Sequence, residues 1–522
     1  MPIAPSDCKA TLRARGICVI VPTYNNVGTV AAVIDEVRNY CDDVIVVNDG
    51  STDGTAEMLR GLGGITLVDY ADNRGKGHAL REGFRRARAM GFAYAITLDA
   101  DGQHYPSCIP QFLEANKQHP GALIVGNRRL ADAERSKGSS FANRFANFWF
   151  AFQTWRRGID TQSGYRLYPL KKLRALSLLT ARYEAELELL VFGAWRGTPL
   201  AAIDIPVYYP PREERVSHFR PGADFLRITA LNTVLCVLAV CYGWPRMLLR
   251  KAGQMCRTAF VWTTVILLLI FFFTPFVWVW FHLGPVTDDK RARLRRLIWR
   301  TARTVILRRG IPGVKATESV EHVLATGESN VEAEAAHPSD LSTLASEHRP
   351  PTVIICNHQS HIDILFQLMF VPNAIYLIKD WVWRNPFYGV IVRRAEYQPV
   401  KDGVGELLPK LRELVKKGCH IAVYPEGTRS EDCSIGRFHK GAFYIARELG
   451  LDITPMYLYG PGKVLPKGRF LMNRGRIHVE VGAPITQAEL SAMGDLRQQA
   501  REVRRRYRAK YEQLCNKIEQ DV

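Results

Sequence analysis

The feature that most constrains this chain is an uncharged apolar run from Thr258 to Leu283, which contains no Asp, Glu, Lys or Arg. About 20 such residues are enough to cross the hydrocarbon core of a bilayer, so the run predicts a membrane segment. A buried core helix is the alternative, and the length of the run argues against it. Pro275 is expected to kink a spanning helix or to divide the run into a short re-entrant pair.

Basic residues follow the apolar run. From Lys290 to Arg309 the chain is strongly basic and contains no acidic residue. Its apolar residues recur near helical spacing, and they are Leu294, Leu297, Ile298, Trp299 and Val305. This pattern predicts an amphipathic helix that lies on an anionic membrane surface, with a solvated basic linker as the alternative.

Basic residues also precede the run, from Arg246 to Arg257. Positively charged flanks tend to stay on the cytoplasmic side of a membrane, and a single crossing would place one of these two flanks on the other side. A re-entrant or monotopic hairpin would keep both flanks on the cytoplasmic side. The first residues contain no apolar stretch of the kind that a cleaved secretory signal needs. These observations predict a protein of a bacterial-type inner membrane, with the parts of the chain on either side of the apolar run both facing the cytoplasm.

Composition indicates that the rest of the chain is globular. Of the 522 residues, 47% are apolar and 23% are charged, which excludes wholesale disorder. The net charge of +19 favours an anionic partner such as a phosphorylated metabolite or an anionic membrane. The predicted parts are a first domain over 1–224, a membrane-associated segment over 225–313, an acidic linker or insertion over 314–349 and a second domain over 350–522.

Three short runs rich in β-branched residues in the first domain each end in a polar cluster. They are Ile17–Pro22, Val44–Val47 and Ala93–Leu98, and helical patterns follow the first two. Alternation of strand, loop and helix predicts an α/β fold with a parallel sheet and helices on its faces. Ligands of such sheets bind beyond the carboxyl ends of the strands, where all three clusters fall.

The residue types in these clusters suit the binding of a metal and a phosphorylated ligand. Asp99 and Asp101, one residue apart on a strand-end loop, can converge on one divalent cation such as Mg²⁺ or Mn²⁺. Asp49 can accept hydrogen bonds from a nucleobase or a ribose, and Lys76 offers a cation. A surface turn is the alternative explanation for an Asp-x-Asp pair on its own.

Four ordered motifs, VPTYNN, VVNDGSTDGT, NRGKGHALREGF and LDADGQH, resemble those of family-2 glycosyltransferases, especially the dolichol-phosphate mannose synthase-like branch. The resemblance implies a GT-A, Rossmann-like domain that takes a sugar from a nucleotide-diphosphate donor, with Asp101 as the carboxylate on which transfer depends. The donor-binding residues that it implies are Pro22, Tyr24, Asn26, Asp49, Lys76 and Asp99. The ligands that it implies for Mg²⁺ or Mn²⁺ are Asp99, Asp101 and Gln103.

Two later segments, Asp160–Arg166 and Arg182–Glu188, resemble the acceptor side of the same family. If the acceptor is a hydroxyl, a carboxylate of this group would take its proton. Glu186 and Glu188 are the candidate catalytic bases. The alternative is a helix whose acidic face is exposed.

The second domain places a His and an Asp after its first predicted strand. The run PTVIIC leads directly to His358, and Asp363 follows five residues later. A His on a strand-end loop and an Asp in the first turn of the next helix can fold together, so that the Asp orients an imidazole that deprotonates an alcohol. An Asp that caps its helix beside a surface His is the alternative.

A second polar cluster follows the predicted strand Ile421–Tyr424. It contains Gly427, which permits close approach of the backbone, and Arg429, whose guanidinium suits a phosphate. Glu426 lies beside them.

The motifs NHQSHID, YPEGTRS and ITPM resemble, in this order, those of the lysophosphatidate-type acyltransferases of the glycerolipid family. The resemblance implies transfer of an acyl group from acyl-CoA or acyl-carrier protein to a lipid hydroxyl without a cofactor. It makes His358 the base and Asp363 its partner. The acceptor-binding residues that it implies are Glu426, Gly427 and Arg429, with Arg393 or Arg394 standing where many members carry a glycerophosphate-binding arginine.

Together these patterns predict a bifunctional, membrane-associated transferase that builds a glycolipid or another lipid conjugate. In one alternative a single domain is catalytic, the acyltransferase in preference to the glycosyltransferase, and the other domain serves for docking. Another alternative is a non-enzymatic, basic membrane-binding protein. No nucleic-acid module is visible, so no nucleic-acid partner is expected. The basic helical pattern from Asp495 to Val522 is expected to lie in water, with phospholipid or the acidic face of a carrier protein as the alternatives.

Overall fold

The computed structural model separates into two compact units. One comprises Met1–Lys251 with Glu519–Val522, and the other comprises Ala252–Ile518. The predicted membrane-associated segment 225–313 is therefore divided between them. The described residues are 5–128, 137–173, 180, 182, 184–208, 221–304, 314–320, 350–369, 371–386, 388–400 and 403–520, without the side chains of 137–142, 221–225, 318–320 and 520.

A seven-stranded sheet is the framework of the first unit. Its strands are β1 (Ile17–Thr23), β2 (Val44–Asp49), β3 (Thr66–Tyr70), β4 (Tyr94–Thr97), β5 (Leu123–Arg128), β6 (Arg166–Pro169) and β7 (Leu200–Ile205). Their order in the sheet is β3-β2-β1-β4-β6-β5-β7. Strands β1 to β4 are parallel, and β6 runs antiparallel to β4 and β5.

Helices cover both faces of this sheet. They are α1 (Pro5–Ala14), α2 (Val30–Arg38), α3 (Thr55–Gly61), α4 (Lys76–Ala89), α5 (Ile109–Gln118), α6 (Lys137–Thr154), α7 (Leu170–Leu173), α8 (Glu184–Arg196) and α9 (Pro221–Leu238). Alternate side chains of β1 enter different cores, with Val19 and Val21 on one face and Cys18 and Ile20 on the other. Burial on both faces is typical of parallel strands, and the predicted α/β fold of this unit is confirmed.

The loops at the carboxyl ends of β1 and β2 are tied together by hydrogen bonds. Asn25 N donates to Ser51 Oγ at 2.9 Å, and Val27 N donates to Asp53 Oδ2 at 3.1 Å. These bonds hold the rim above the strand ends, where the polar clusters lie.

The predicted membrane segment is part of one long helix, Leu226–His282, of 57 residues. Its later parts are α10 (Trp244–Leu267) and α11 (Thr274–His282). The turn Leu268–Phe273 is wider than an α-helical turn and lets the helix continue past Pro275, which lacks an amide hydrogen. A re-entrant pair divided at Pro275 is therefore wrong. By length and composition, this is the one helix among the described residues that could cross a membrane.

One side of α10 and α11 packs along the second unit. Val277 and Phe281 are buried in its core, and Thr258 Oγ1 accepts a hydrogen bond from Met472 N at 2.9 Å. Large apolar side chains on the helix are exposed, and they are Phe260, Ile266, Leu267, Leu268, Phe271, Phe272, Phe276, Trp278 and Val279. The apolar part of the helix is thus attached near both of its ends to the same unit.

The second unit is built on another seven-stranded sheet. Its strands are β8 (Val314–Val320), β9 (Val353–Cys356), β10 (Ala374–Lys379), β11 (Gln398–Val400), β12 (His420–Val423), β13 (Ile453–Tyr459) and β14 (Gly475–Val481). Their order is β11-β10-β12-β9-β13-β14-β8. Strand β9 pairs in parallel with β12 and β13, so the loops after β9 and β12 meet at one end of the sheet.

Strand β8 corrects the predicted linker. Val314–Val320 pairs in parallel with Gly475–Val481 along the whole strand. The acidic linker or insertion is therefore wrong for 314–320, because the backbone of these residues completes the sheet. Residues 321–349 lie outside the described part of the chain.

The helices of the second unit include the two basic segments. They are α12 (Asp288–Arg303), α13 (Asp363–Leu368), α14 (Asp380–Arg384), α15 (Gly389–Arg394), α16 (Leu408–Lys416), α17 (Gly441–Leu449), α18 (Pro461–Val464), α19 (Gln487–Ala492) and α20 (Leu496–Gln520). The expectation that the C-terminal helix lies in water is wrong for one face of α20. Val503, Tyr507, Tyr511 and Leu514 are buried in the core of the unit.

Helix α12 packs in the same way. Leu294 is buried in the core and Ile298 packs against it, while Arg295 Nη1 lies 3.0 Å from Glu396 Oε2 in a buried ion pair. The prediction that the apolar face of this helix rests on the membrane is wrong, because that face belongs to the protein core. Val305 lies outside the described residues.

Candidate active sites

In the first unit, Asp49 ends β2 and holds the loop that leads into α4. Its Oδ1 accepts hydrogen bonds from Tyr70 Oη at 2.8 Å and from Arg74 N at 2.9 Å. Its Oδ2 accepts one from Gly75 N at 2.8 Å. Because Oδ2 retains a second lone pair, the contact with a nucleobase or ribose stays a prediction that this geometry permits.

Lys76, the first residue of α4, connects the loop after β4 with helix α8. Its Nζ lies 2.7 Å from Asp99 Oδ1 and 3.2 Å from Glu186 Oε1. Burial lowers the pKa of Lys76, but the charges of Asp99 and Glu186 outweigh burial and raise it above its usual range. Burial likewise raises the pKa of Asp99, and the charge of Lys76 outweighs it and lowers that pKa. Lys76 and Asp99 are therefore an ionised pair. Together with Glu186, which lies against the same ammonium, we call them the ionised cluster.

Asp101 lies next to this cluster. Burial and the charge of Asp99 raise the pKa of Asp101 to about 6, and its Oδ1 accepts a hydrogen bond from Gln103 N at 3.0 Å. Two carboxylates that repel each other, with one lysine beside them, suit a divalent cation that also binds phosphate oxygens. Asp99 and Asp101 thus fit Mg²⁺ or Mn²⁺. The described residues contain no cluster of three His, Cys, Asp or Glu side chains placed to hold a metal ion.

His104 is a residue of this site that sequence reasoning missed. It is 7% exposed, and burial lowers its pKa to about 4, so the imidazole is neutral near pH 7. Its ring packs against Tyr165 with 5.2 Å between centroids, and among the described residues its Nδ1 has no hydrogen-bond partner. The position of His104 directly after LDADGQ is the signal that could have drawn attention to it.

Arg166 and Gly164 hold the acceptor-side segment against the ionised cluster. Arg166 is fully buried, and its guanidinium donates to Glu186 O and to Thr161 O, each at 2.8 Å. A Cβ at Gly164 would lie 2.5 Å from Asp99 Oδ2. Only glycine therefore allows the segment to approach Asp99 this closely.

The two candidate bases have different surroundings. Glu186 is 6% exposed and faces Lys76. Glu188 is fully buried, and its Oε2 accepts hydrogen bonds from Thr180 N at 3.0 Å and from Thr180 Oγ1 at 2.7 Å. Burial of both carboxylates excludes an exposed acidic face. The carboxylate of Glu188 thus holds a neighbouring segment, and its role as a base stays a prediction that these contacts do not favour.

The remaining donor-binding candidates lie at the end of β1. Pro22 is buried in the strand and Tyr24 is half-buried in the loop after it. Asn26 donates from Nδ2 to Tyr24 O at 3.1 Å, and its backbone N donates to Thr55 Oγ1 at 3.2 Å. The side chain of Asn26 thus shapes the loop. Contacts of Pro22 and Tyr24 with a donor stay predictions.

In the second unit, the structure brings His358 and Asp363 together. Asp363 Oδ2 lies 2.8 Å from His358 Nδ1 and accepts hydrogen bonds from Gln359 N at 2.6 Å and Ser360 N at 2.8 Å. Asp363 is fully buried at the start of α13, whereas the His358 side chain is 23% exposed. With Nδ1 as the donor to Asp363, the other ring nitrogen, Nε2, is left as a proton acceptor.

Glu426 holds the loop that carries His358. Its Oε1 accepts a hydrogen bond from His358 N at 2.9 Å, and its Oε2 accepts one from Gly436 N at 2.7 Å. Burial raises its pKa. Both carboxylate oxygens of Glu426 thus bind backbone amides, and its expected contact with an acceptor stays a prediction. The neighbouring Gly427 is exposed and has φ +65°, a conformation that favours glycine.

Two residues beside His358 were missed by sequence reasoning. The ring of Tyr424 stacks on the imidazole, with 4.1 Å between centroids and 19° between planes. Burial, followed by the charges of Arg429 and His358, lowers the pKa of His361. Among the described residues Arg429 Nη1 is buried without a hydrogen-bond partner. A guanidinium with an unused donor of this kind suits the binding of an anion. Both missed residues lie within or beside the quoted motifs.

Arg393 and Arg394 make contacts elsewhere. Arg393 Nη1 donates to Trp383 O at 2.6 Å, and the Arg394 guanidinium lies 5.2 Å from the centroid of the Phe281 ring. These contacts tie Arg393 to α14 and Arg394 to α11, and acceptor binding by either arginine stays a prediction that they do not favour.

Comparison with protein families agrees with these two sites. Residues 18–173 match the model of the family described as glycosyl transferase family 2, and residues 323–459 match the one described as acyltransferase. The chain joins a family-2 glycosyltransferase domain to an acyltransferase domain. The predicted resemblance to both families is confirmed.

Relatives of each domain are known. For the acyltransferase domain, a chloroplastic 1-acyl-sn-glycerol-3-phosphate acyltransferase of Brassica napus is 33% identical over 150 residues, 28% of this chain and 44% of that protein. This chain thus spans less than half of that relative. For the glycosyltransferase domain, the UDP-N-acetylglucosamine–dolichyl-phosphate N-acetylglucosaminyltransferase of Methanococcus voltae is 26% identical over 216 residues, 37% of this chain and 86% of that protein. The crystal structure of the 1-acyl-sn-glycerophosphate acyltransferase from Thermotoga maritima has a TM-score of 0.37 and 22% identity, covering 50% of this chain and 98% of that one.

Proposed function

We propose that the chain is a membrane-associated enzyme with two active sites that builds a glycolipid or another lipid conjugate. Its first domain would transfer a sugar from a nucleotide-diphosphate donor, and its second would transfer an acyl group from acyl-CoA or acyl-carrier protein to a lipid hydroxyl. The observation that carries the proposal is that each unit gathers its own reactive groups beyond the carboxyl ends of parallel strands. Asp99 with Lys76 does so in one unit, and His358 with Asp363 in the other.

In the glycosyltransferase domain the charges suit a diphosphate leaving group. A divalent cation held by Asp99 and Asp101 would supply positive charge to the diphosphate. Lys76 keeps Asp99 ionised and so ready for that cation. Glu186, 3.2 Å from Lys76 Nζ, is the carboxylate that would take a proton from an acceptor hydroxyl.

In the acyltransferase domain His358 is the base. Its Nε2 would take the proton of the lipid hydroxyl, whose oxygen forms the new ester bond to the acyl carbon. The carbon–sulfur bond of the thioester breaks, and the thiolate leaves with that proton. Asp363 would stabilise the imidazolium, and Arg429 would bind a phosphate of the acceptor.

The long helix supports attachment to a membrane. Its apolar part carries no charge and exposes large side chains, yet Thr258 and Phe281 both contact the acyltransferase unit. Because this apolar part is tied near both of its ends to one folded unit, it would lie along a single leaflet, since a crossing would pull that unit through the bilayer. We infer that it anchors the chain at the cytoplasmic face of an inner membrane.

Separate loss of the two activities tests the proposal. The purified full chain in detergent would be assayed with Mn²⁺ and several nucleotide sugars, and separately with acyl-CoA or acyl-carrier protein. Asp101→Ala should remove sugar transfer alone and His358→Ala acyl transfer alone, because their sites lie in different units. If neither substitution changes its own activity, the model of two active sites is wrong. If only one does, the other domain has a docking role.

Removal of divalent cations is expected to lower sugar transfer by about hundredfold, because a carboxylate pair alone cannot neutralise a departing diphosphate. The rate would be measured after treatment with EDTA and again after addition of Mn²⁺. Acyl transfer in the same sample serves as the control and should not change. Sugar transfer that persists in EDTA would contradict the metal role of Asp99 and Asp101.

Gly164→Ala is expected to lower sugar transfer by about tenfold. The added methyl would lie 2.5 Å from Asp99 Oδ2 and 2.8 Å from Lys76 Nζ, so it must push this ion pair apart. Gly61→Ala is the matched control, since nothing lies within 4 Å of its Cβ position and neither Gly61 nor Gly164 has a positive φ. Equal rates for the two variants would show that the close approach is unimportant.

A further inference from the structure

The end of α6 and the long helix share an exposed aromatic cluster. Phe148, Phe152 and Trp155 are 62%, 39% and 53% exposed. The ring of Trp244 stacks on Trp155 with 5.6 Å between centroids and lies 5.0 Å from the Phe152 ring. Single exposed apolar residues are ordinary, whereas a contiguous group of large rings marks an interaction surface.

Backbone conformation and hydrogen bonds fix the positions of the rings in this cluster. Trp155 has φ +55°, which a bulky residue adopts only when its surroundings impose it. Trp244 Nε1 donates to Phe152 O at 3.3 Å. Below the rings, Gln153 Nε2 donates to Asn232 Oδ1 at 3.1 Å inside the core. The rings are thus exposed on one side and supported on the other by buried, hydrogen-bonded residues.

Three exposed arginines lie beside the rings. Arg156 follows Trp155 directly, and Arg246 and Arg250 follow Trp244 on the helix. The Arg246 guanidinium lies 5.7 Å from the centroid of the Tyr242 ring. Burial, followed by the charges of Arg156 and Arg246, lowers the pKa of Arg250. The guanidinium of Arg250 rests against Gly197, where a Cβ would collide with it.

No carboxylate balances this charge among the described residues. Stretches 137–158 and 225–257 contain no Asp or Glu, and in the described part of the chain none of the three guanidiniums is in an ion pair. Aromatic rings at the level of lipid head groups and arginines on their phosphates are the usual composition of a membrane-facing protein surface. Val237, Leu248 and Leu249 on the same long helix are also exposed.

We propose that this aromatic–arginine surface docks the glycosyltransferase unit onto an anionic phospholipid membrane. Its members are Phe148, Phe152, Trp155, Trp244, Arg156, Arg246 and Arg250. The rings enter the interface between head groups and acyl chains, and the guanidiniums bind head-group phosphates. The proposal rests on the membrane association of the chain and on neither reaction. The surface lies wholly within the first unit and is separate from the apolar part of the long helix after Thr258.

A dye on this surface of the full chain tests docking separately from anchoring. Leu249→Cys would carry an environment-sensitive nitrobenzoxadiazole dye, with the exposed Cys241 and Cys256 changed to Ser. The labelled chain would be added to phosphatidylcholine vesicles with or without about 30% phosphatidylglycerol, and flotation would report anchoring. Met90→Cys, exposed elsewhere on the same unit, carries the control dye.

The dye at position 249 should shift to the blue with anionic vesicles, and the dye at position 90 should not. Changing Arg156, Arg246 and Arg250 to Gln should raise the anionic lipid needed for this shift by at least about tenfold. The charge-matched control changes Arg60, Arg85 and Arg86 to Gln on α3 and α4 and should behave as the parent.

Each other outcome overturns a distinct part of the proposal. A floating chain whose dye at position 249 does not shift would rule out docking while leaving membrane association intact. An equal shift with both vesicles, or in the arginine variant, would rule out head-group recognition. A concentration-dependent shift without vesicles would identify a second copy of the chain as the occupant. A chain that does not float would remove the membrane association on which the proposal depends.

Discussion

Asp363→Asn is expected to lower acyl transfer by about 10³- to 10⁴-fold while sugar transfer stays unchanged. The carboxylate accepts hydrogen bonds from His358 Nδ1 and from two backbone amides on one oxygen. An amide at this place can turn its oxygen toward those donors, but it has no negative charge for the imidazolium that forms when His358 takes a proton. The measurement is kcat with saturating acyl-CoA and lipid acceptor.

Two controls separate this catalytic effect from a loss of folding. Asp288→Asn removes a carboxylate from an exposed ion pair with Lys417 in the same unit and should leave the rate within about twofold. Because His358 and Asp363 act as a unit, the double variant with His358→Ala should be no slower than His358→Ala alone. Losses that multiply in the double variant would contradict a shared role.

The groups that the sequence could place are close together along the chain. His358 and Asp363 are five residues apart, and a strand that ends just before them leaves few ways for the loop to turn. The same holds for Asp99 and Asp101, whose loop follows β4 directly. In both cases the alternation of β-branched runs and polar clusters indicates which end of the sheet carries the site.

Contacts between distant residues could not be predicted in this way. Glu426 accepts a hydrogen bond from His358 N across 68 residues, a contact that its motif does not indicate. Glu186 and Glu188 look alike in sequence, yet Glu186 lies 3.2 Å from Lys76 Nζ, whereas Glu188 binds Thr180. Neither distinction has a local signal, because strand order and helix packing decide which side chains meet.

The sequence could not decide whether the apolar face of a helix is covered by a membrane or by the protein core. The spacing of Leu294 and Ile298 on α12 shows that one face leaves water, but the pattern is the same whether a membrane or a protein core covers that face. Burial of Arg295 against Glu396 decides for the core. The continuity of the long helix past Pro275 could not be predicted from the sequence either, because a wide turn compensates for the missing amide hydrogen only in the folded chain.

The second large effect is expected from Lys76→Met, which should lower sugar transfer by about 10³-fold and destabilise the first unit by about 3 kcal/mol. Methionine keeps the length of the side chain but removes the charge that lies 2.7 Å from Asp99 Oδ1 and 3.2 Å from Glu186 Oε1. The half-buried carboxylate of Asp99 and the buried carboxylate of Glu186 are then left without the ammonium group that lies between them. Initial rates with a nucleotide sugar and thermal unfolding of the full chain would be measured, with Lys117→Met on the surface as the matched control.

A double variant distinguishes the structural from the catalytic part of this effect. Lys76→Met with Asp99→Asn removes the repulsion between Asp99 and Glu186, so most of the lost stability should return. Sugar transfer should stay low, because the same change removes a carboxylate that the cation needs. Recovery of both stability and rate would show that Lys76 acts only by balancing charge. Unchanged stability and rate in Lys76→Met itself would mean that the ionised cluster does not hold the site.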